Sequence, residues 1–328
     1  MRPIRLGLTL FSIVVAVTAV AAAADPTPLA GVRRVVFLGD SITYSGQYIE
    51  YVDAILRLND PKQTIELLDL GLPSETVSGL SEPGHAGGSF PRPDLHERLD
   101  RVLKKTRPAL VVACYGMNCG MYYPFSEERF KKYQDGIRFL RAHARAVGAK
   151  VLHITPPVFD PVPLKGRTLP AGRDEYRQPY EGYNEVLDRY SEWLVSQRAE
   201  GWDVLDIHGP LNQMLATRRK IDPNFRFAGD GVHISTEGHW IIATMLLSHW
   251  GVTLPASDVK LPPEQYFSAR PHGLEVLKLV HQRQRILADA WLTATGHKRP
   301  GMTRGLPLEE AERQAVAIDA KIRAIVAP

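Results

Sequence analysis

The sequence has 328 residues, of which 44% are hydrophobic and 23% are charged, and its formal net charge is +4. A chain of this size buries one large core and has room for a smaller appended unit. Its nearly balanced charge argues against nucleic-acid binding, which needs clustered basic residues or a recognisable module. The two cysteines, Cys114 and Cys119, are too few for a disulfide framework. A single bridge between them and two free thiols both stay open.

Residues 1–24 have the layout of a cleavable export signal. Arg2 and Arg5 precede the apolar run LGLTLFSIVVAVTAV, and the small residues AAAA follow it. An uncleaved anchor is the alternative, but the run is at the short end for a membrane span and ends in alanines rather than in a charged stop. We therefore expect cleavage after Ala24. The mature protein is then periplasmic or extracellular, without stable membrane insertion.

Strand-like and helix-like segments alternate over most of the chain. Stretches such as 126–148 and 180–199 have the pattern of helices and lie between apolar runs. Near-continuous apolar strands separated by helices indicate a parallel sheet that is covered on both faces. Residues 156–178 are too rich in proline and glycine for a regular element, so we expect a surface loop there. The strand-like runs are RRVVFLGD, QTIELLDLGL, PALVVACYG, AKVLHITPP and WDVLDIH.

Four polar segments fall at one edge of this predicted sheet. They are GDSIT after the first strand, GLPSET after the second, YGMNCG after the third and GDGVHIST beyond the fifth. Parallel sheets place ligand sites at the carboxyl ends of their strands. A serine after a strand also commonly caps the next helix, which is the alternative role for Ser41. Capping accounts for Ser41 alone, whereas the asparagine and the Asp-x-x-His segment at the same edge indicate a site.

The same segments resemble the blocks of the SGNH hydrolase family, also called GDSL-type esterases. The resemblance spans roughly residues 33–250: residues 39–43 match the nucleophile block, residues 116–118 look like the Gly-x-Asn block, and residues 230–233 match the Asp-x-x-His block. Each motif alone is short, but their order, spacing and position at strand ends make the resemblance specific.

Three positions depart from the family pattern. Ser74 stands where the second block usually has a glycine before an acidic residue and threonine. The family role at this position is donation of a backbone amide, which serine also possesses, so the departure concerns backbone conformation. Cys119 follows the asparagine where an aspartate is common, and Ile234 replaces the usual proline after the last histidine. Neither of these two positions carries a proton in the implied mechanism.

The resemblance implies a Ser-His-Asp mechanism, and we expect no metal or other cofactor. Ser41 is the expected nucleophile, His233 its base, and Asp230 the group that orients the imidazole. The backbone amides of Ser41 and Ser74 and the side-chain amide of Asn118 are the expected oxyanion hole. No His-Glu-x-x-His or Cys-x-x-Cys pattern occurs that would favour metal catalysis. The remaining histidines, including His153, His208 and His239, we expect to pack or cap.

The alternation of strands and helices, the leader pattern and the extent of the resemblance together give an expected fold and a division of the chain. The expected fold is a flavodoxin-like three-layer α/β/α sandwich with a parallel sheet of about five strands and a C-terminal helical extension. We expect a signal peptide over residues 1–24, a hydrolase domain over 25–255, and over 256–328 a helical extension packed on that domain.

An exported esterase suggests an extracellular or periplasmic ester as substrate. Tyr122 and Tyr123 follow the Asn118 segment and could offer flat faces to a sugar ring, although aromatic side chains are as often simple packing. The working hypothesis is an esterase that removes O-acetyl groups from carbohydrates. A lipolytic or thioester hydrolase of the same family is the enzymatic alternative. A non-catalytic carbohydrate-binding protein on the same fold is the other.

Two long helical patterns follow residue 262, one around 272–295 and one from Pro307 to Val326. Such a helix is marginal alone in water, so its apolar stripe needs a partner. We expect an antiparallel helical pair folded back on the hydrolase domain, and the basic loop around Lys298 and Arg299 is a candidate to reach the rim of the site. The stripe of the second helix consists of Leu308, Ala311, Ala315, Ile318, Ile322 and Ile325.

Overall fold

The computed structural model describes residues 29–327, and the predicted export signal lies outside the described residues. Within them, five parallel strands form one sheet in the order β2-β1-β3-β4-β5. All five strand-like runs of the sequence contain one of these strands, so that prediction is confirmed. The strands are β1 (Arg34–Gly39), β2 (Glu66–Asp69), β3 (Leu110–Cys114), β4 (Lys150–Ile154) and β5 (Asp203–Leu205).

Helices connect the strands and continue beyond the last one. In residues 29–327 the α-helices are α1 (Ser41–Ser45), α2 (Gln47–Asn59), α3 (Leu95–Thr106), α4 (Glu127–Ala146), α5 (Tyr183–Ser196), α6 (His208–Arg219), α7 (Thr236–His249), α8 (Ala256–Val259), α9 (Pro263–Ser268), α10 (Gly273–Thr295) and α11 (Leu308–Val326). Short 3₁₀ helices are formed by His85–Gly88, Val162–Leu164 and Gln197–Glu200.

The strand order is that of a flavodoxin-like sheet, which confirms the predicted fold class. The chain moves from β1 to the outer strand β2 and then back across the sheet to β3, β4 and β5. With right-handed crossovers, this path puts α2 on one face and α3, α4 and α5 on the other. Helix α7 packs against α2. The carboxyl ends of all five strands therefore meet at one edge.

The central strands are apolar on both faces because both faces are covered. Val35, Val36, Phe37 and Leu38 of β1 have no exposed surface. Burial of each such side chain stabilises the fold by about 1.5–3 kcal/mol relative to leaving it in water. A sheet anchored in this way gives the loops at its carboxyl edge a rigid base.

The C-terminal helices pack on the strand at the open edge of the sheet. Helix α10 contacts α2, β2 and α11, and Gln284 Nε2 donates to the backbone oxygen of Leu67 in β2 at 3.2 Å. The apolar stripe predicted for the last helix is buried at its centre and half-buried at Leu308 and Ile325. Helix α10 therefore shields a strand edge that would otherwise expose unpaired backbone groups. The domain boundary at residue 255 stays a prediction.

A buried network of ions joins the same helices. Arg57 of α2 pairs with Asp53 at 2.6 Å and with Asp319 of α11 at 2.9 Å. Arg283 of α10 also pairs with Asp319, at 2.8 Å. Buried charges are tolerated when they are paired, so loss of one member leaves another uncompensated.

The two cysteine thiols are free and buried. Between residues 29 and 327 there is no helix of the length and apolarity needed to cross a membrane.

Candidate active site

Ser41 is the first residue of a helix that its neighbour caps. Strand β1 ends at Gly39, Asp40 takes the N-cap position, and α1 begins at Ser41. The Asp40 carboxylate accepts a hydrogen bond from the backbone N–H of Ile42 at 2.9 Å. Burial raises the pKa of Asp40 to about 6. Capping is therefore the role of Asp40, and the Ser41 side chain makes its contact elsewhere.

A continuous series of hydrogen bonds joins Ser41, His233 and Asp230. His233 Nε2 lies 2.8 Å from Ser41 Oγ, and His233 Nδ1 lies 2.6 Å from Asp230 Oδ2. A carboxylate at Nδ1 favours the tautomer with its proton on that nitrogen, which leaves Nε2 as an acceptor. This is the arrangement in which an imidazole can take the proton of a serine hydroxyl.

A tight turn fixes the three-residue step between Asp230 and His233. Asp230 Oδ1 accepts the backbone N–H of Val232 at 3.0 Å and that of His233 at 2.8 Å. Gly231 has a φ of 80°, and a Cβ at this position would lie 2.4 Å from the backbone oxygen of Asp160. Any larger residue would push the turn away from Asp160. The carboxylate thus holds both the histidine backbone and its ring.

The Asp230 charge is stabilised at an open part of the surface. Burial alone would raise the pKa of Asp230, but hydrogen bonds from the His233 ring and from two backbone amides outweigh it and lower the pKa. The side chains of His233 and Asp230 are 52% and 56% exposed. Solvent therefore reaches both groups, and bulky substrates can approach them.

Ser74 lies in a tight turn after β2. The Glu75 N–H donates to the Leu72 oxygen at 3.0 Å, and Ser74 has a φ of 69°. Pro73 at the second position and a left-handed residue at the third are typical of a type II β-turn. The third position of this turn usually requires glycine. The departure of Ser74 from the family pattern is thus conformational, as the sequence indicated.

This turn packs directly on the segment that carries Ser41. The Leu72 N–H donates to the Gly39 oxygen at 2.9 Å. A Cβ at Gly71 would lie 2.3 Å from the backbone nitrogen of Tyr44 in α1, so only glycine permits this approach. The first and second blocks are therefore held side by side.

Asn118 follows β3 and is buried. Its Nδ2 donates to the Glu75 oxygen at 3.3 Å, and its Oδ1 accepts the Tyr122 hydroxyl at 3.1 Å. The first of these bonds ties the third block to the Ser74 turn. Asn118 is therefore hydrogen-bonded to Glu75, the residue after Ser74. The Ser74 turn is in turn hydrogen-bonded to the Ser41 segment through Leu72 and Gly39.

The structure shows a buried ion pair next to the Ser74 turn that the sequence analysis did not predict. Arg98 of α3 pairs with both carboxylate oxygens of Glu75, at 2.6 and 2.7 Å, and the Tyr115 hydroxyl donates to Glu75 at 2.6 Å. The acidic residue beside Ser74 was visible in the sequence. Its partners were not, because no local pattern links Glu75 to an arginine 23 residues later.

Two tyrosines, Tyr122 and Tyr123, follow Asn118 along the chain. The Tyr123 ring lies 5.2 Å from that of Tyr176, in the loop predicted over residues 156–178. Tyr122 is half-buried, and the guanidinium carbon of Arg92 lies 5.5 Å from its ring. The two tyrosines named from the sequence thus have different surroundings: Tyr122 faces the Asn118 amide, and Tyr123 packs under the loop.

The other histidines named from the sequence are buried, and none of them belongs to the hydrogen-bond series of Ser41, His233 and Asp230. His153 lies in β4, His208 begins α6 next to Asp188, and His239 in α7 contacts Ser45. Among the residues described, no group of three or more histidine, cysteine, aspartate or glutamate side chains is placed to hold a metal ion.

Comparison with known protein families shows which family the chain belongs to. Residues 37–241 match the GDSL-like lipase/acylhydrolase family. The chain belongs to this family. The Ser41 segment and the Asp230–His233 turn both fall inside the matched region, whereas α10 and α11 lie outside it. Membership in the GDSL-like family places the chain among ester hydrolases. None of the curated proteins matches it.

Solved structures share the fold of this GDSL-like hydrolase at low sequence identity. A catalytic mutant of an acetylxylan esterase from Geobacillus stearothermophilus is 18% identical, with a TM-score of 0.50 over 68% of this chain and 97% of that chain. Another mutant of that esterase is 19% identical, with a TM-score of 0.50 over 68% and 96%. A gut microbial diltiazem-metabolizing enzyme is 20% identical, with a TM-score of 0.49 over 67% of this chain but 47% of its own. The acetylxylan esterase structures show the shared fold.

Proposed function

We propose that the protein is a serine esterase that hydrolyses carboxylic esters with Ser41 as nucleophile. The observation that carries the proposal is the hydrogen-bond series from Ser41 Oγ to His233 Nε2, at 2.8 Å, and on to Asp230, at 2.6 Å. A serine hydroxyl is a weak nucleophile until a neighbouring base takes its proton. His233 is the base within hydrogen-bond distance of it.

The reaction runs in two halves. Ser41 Oγ bonds to the ester carbonyl carbon while its proton passes to His233 Nε2. The tetrahedral intermediate then loses its alcohol, which takes that proton from His233, and an acyl-enzyme remains. Water gives a proton to His233 and attacks the acyl carbon, and the proton returns to Ser41 as the carboxylic acid leaves. Asp230 stays ionised throughout and holds the imidazole in place.

The oxyanion hole consists of the amides of Ser41 and Ser74 and the side-chain amide of Asn118. These donors act on the charge that develops on the carbonyl oxygen in the transition state. The Tyr122 hydroxyl donates a hydrogen bond to Asn118 Oδ1, which orients the Asn118 Nδ2 toward the backbone oxygen of Glu75. One of its two N–H groups suffices for Glu75, which leaves the second for substrate.

The substrate we propose is an O-acetyl group on a carbohydrate. The exposed side chains of His233 and Asp230 leave room for an ester on a bulky polymer, and the half-buried Tyr122, whose hydroxyl contacts Asn118, offers an aromatic ring beside the site. The acetylxylan esterase with the same fold makes acetylated xylan the first glycan to assay. Preference for fatty-acyl esters or for thioesters would favour the alternative hydrolases. Glycan binding without turnover would favour a non-catalytic carbohydrate-binding protein.

Hydrolysis of an aryl acetate by the purified protein tests the proposal. Ser41→Ala and His233→Ala should each lower kcat by several orders of magnitude, because residues of such a unit act together. Ser257→Ala, at an exposed serine in α8, is the matched control and should retain wild-type activity. Acetate release across a panel of acetylated glycans then identifies the substrate. Wild-type activity in Ser41→Ala would overturn the assignment.

We also propose export through residues 1–24, followed by the hydrolase domain over 25–255 and the helical extension over 256–328. The support is the charged, apolar and small-residue order of the leader. Mass spectrometry of the protein secreted by an expression host measures the mature amino terminus. An intact Met1 would contradict cleavage after Ala24.

A further inference from the structure

The turn at Ser74 is held in the less favourable of two conformations for its sequence. Type I and type II turns differ in the orientation of the central peptide, with ψ near −30° or +120° at the second residue and φ near −90° or +80° at the third. Here the central peptide joins Pro73 to Ser74, whose φ is 69°. Serine prefers negative φ, so without other contacts this sequence would favour type I.

The orientation of this peptide decides where the Ser74 N–H points. In a trans peptide the carbonyl oxygen and the N–H point to opposite sides. A change from type II to type I would rotate the Pro73 oxygen and the Ser74 N–H together, to roughly opposite directions. The amide we assign to the oxyanion hole would then turn away from the site.

A residue of the C-terminal segment contacts the oxygen of this peptide. Arg299, in the connection between α10 and α11, donates from Nε to the Pro73 oxygen at 2.9 Å. Its guanidinium carbon lies 5.3 Å from the Phe90 ring, and Nη1 donates to the Pro300 oxygen at 3.0 Å and contacts Met302 Sδ at 3.3 Å. The arginine is thus fixed on several sides while it holds the turn.

We propose that Arg299 is a positioning residue for the oxyanion hole, and that it offsets the conformational cost of serine where the family has glycine. The inference rests on the proposed function, since it takes the Ser74 amide as an oxyanion donor. The C-terminal connection thereby becomes part of the active-site scaffold, although it lies outside the region that matches the family.

The test is a mutant cycle between Arg299 and Ser74, measured with an aryl acetate. Arg299→Met keeps the aliphatic length and removes the hydrogen-bond donor to the Pro73 oxygen. The Ser74 turn can then change to type I and release the strain of a positive φ at serine, which is of order 1–3 kcal/mol, so kcat should fall roughly tenfold. KM should stay within about twofold, because an oxyanion donor acts mainly in the transition state. Ser74→Gly in the Arg299→Met background should restore most of kcat, since glycine adopts positive φ without strain. Arg299→Lys keeps one charged donor group, so its kcat should lie between those of the wild type and Arg299→Met. Arg304→Met, at an exposed arginine with no hydrogen bond among residues 29–327, is the control.

The outcomes separate the two proposals. Wild-type kcat in Arg299→Met overturns the positioning role alone. A fall in kcat that Ser74→Gly does not restore also overturns it, because the arginine would then act through general stability, which thermal unfolding of each variant measures. If the wild-type protein does not hydrolyse the ester while Ser41 and His233 are intact, the proposed function fails and this inference fails with it.

Discussion

The hydroxyl of Tyr122 donates a hydrogen bond to Asn118 Oδ1 at 3.1 Å, and Tyr122 reaches it from a left-handed backbone conformation with a φ of 59°. A non-glycine residue rarely adopts this conformation unless its surroundings hold it there. The bond determines which end of the Asn118 amide faces Glu75. Tyr122 is therefore suited to orient the side-chain amide of Asn118.

Tyr122→Phe should lower kcat for an aryl acetate by about three- to tenfold, since one hydrogen bond of about 1 kcal/mol orients the donor. KM should change little, because an oxyanion donor acts mainly in the transition state. Tyr123→Phe is the matched control, since no hydrogen bond of its hydroxyl is found among the described residues. Equal losses in the two variants would contradict the orienting role.

Asn118→Ala removes the donor itself. Loss of one oxyanion donor typically lowers kcat by about a hundredfold or more, and we expect that magnitude here. Steady-state kinetics with an aryl acetate separate kcat from KM. If KM alone rises, Asn118 is a ground-state binding residue and its place in the oxyanion hole is wrong.

Asp319→Ala should destabilise the fold by about 3 kcal/mol, because it leaves Arg57 and Arg283 buried with incomplete pairing. Urea unfolding of the full chain measures the change in free energy. Lys321→Ala, at an exposed position of the same helix, should change stability by less than about 0.5 kcal/mol. Unchanged stability in Asp319→Ala would contradict a stabilising role for this ion network.

His153→Phe should stabilise the protein, and more so in acid. Both ring nitrogens of His153 are buried without a hydrogen-bond partner in the described residues, and the ring stacks on Trp202 at 5.1 Å. Burial lowers the pKa of His153 from 6.5 to about 3. Between those values the unfolded chain binds a proton that the folded chain does not, so wild-type stability falls as the pH drops below about 6.5.

Phenylalanine does not titrate and therefore removes this loss. The gain in unfolding free energy should be about 2 kcal/mol larger at pH 5 than at pH 8, measured by urea unfolding at both values. An equal gain at the two pH values would contradict a neutral, buried His153 in the folded state.

Much of the architecture was predictable because it depends on patterns that are local in the chain. Apolar runs separated by helical stretches indicated the five-stranded parallel sheet, and the spacing of three and four indicated the buried stripe of α11. The order of the polar segments indicated which residues meet at the carboxyl edge, since parallel strands bring those ends together. The link between Ser41, His233 and Asp230 follows from this order and from the Asp-x-x-His turn.

The sequence by itself thus determined the fold, the family and the candidate residues, because hydrophobic periodicity and the order of short motifs can be read directly along the chain. The tertiary structure decided how those residues are held. Asp40 rather than Ser41 caps α1, Arg98 supports Glu75 beneath the turn, and Arg299 reaches Pro73 across 226 residues of chain. Such contacts leave no periodic pattern in the sequence. They are fixed by how separate elements pack, which brings a donor on one helix or loop within reach of an acceptor on another.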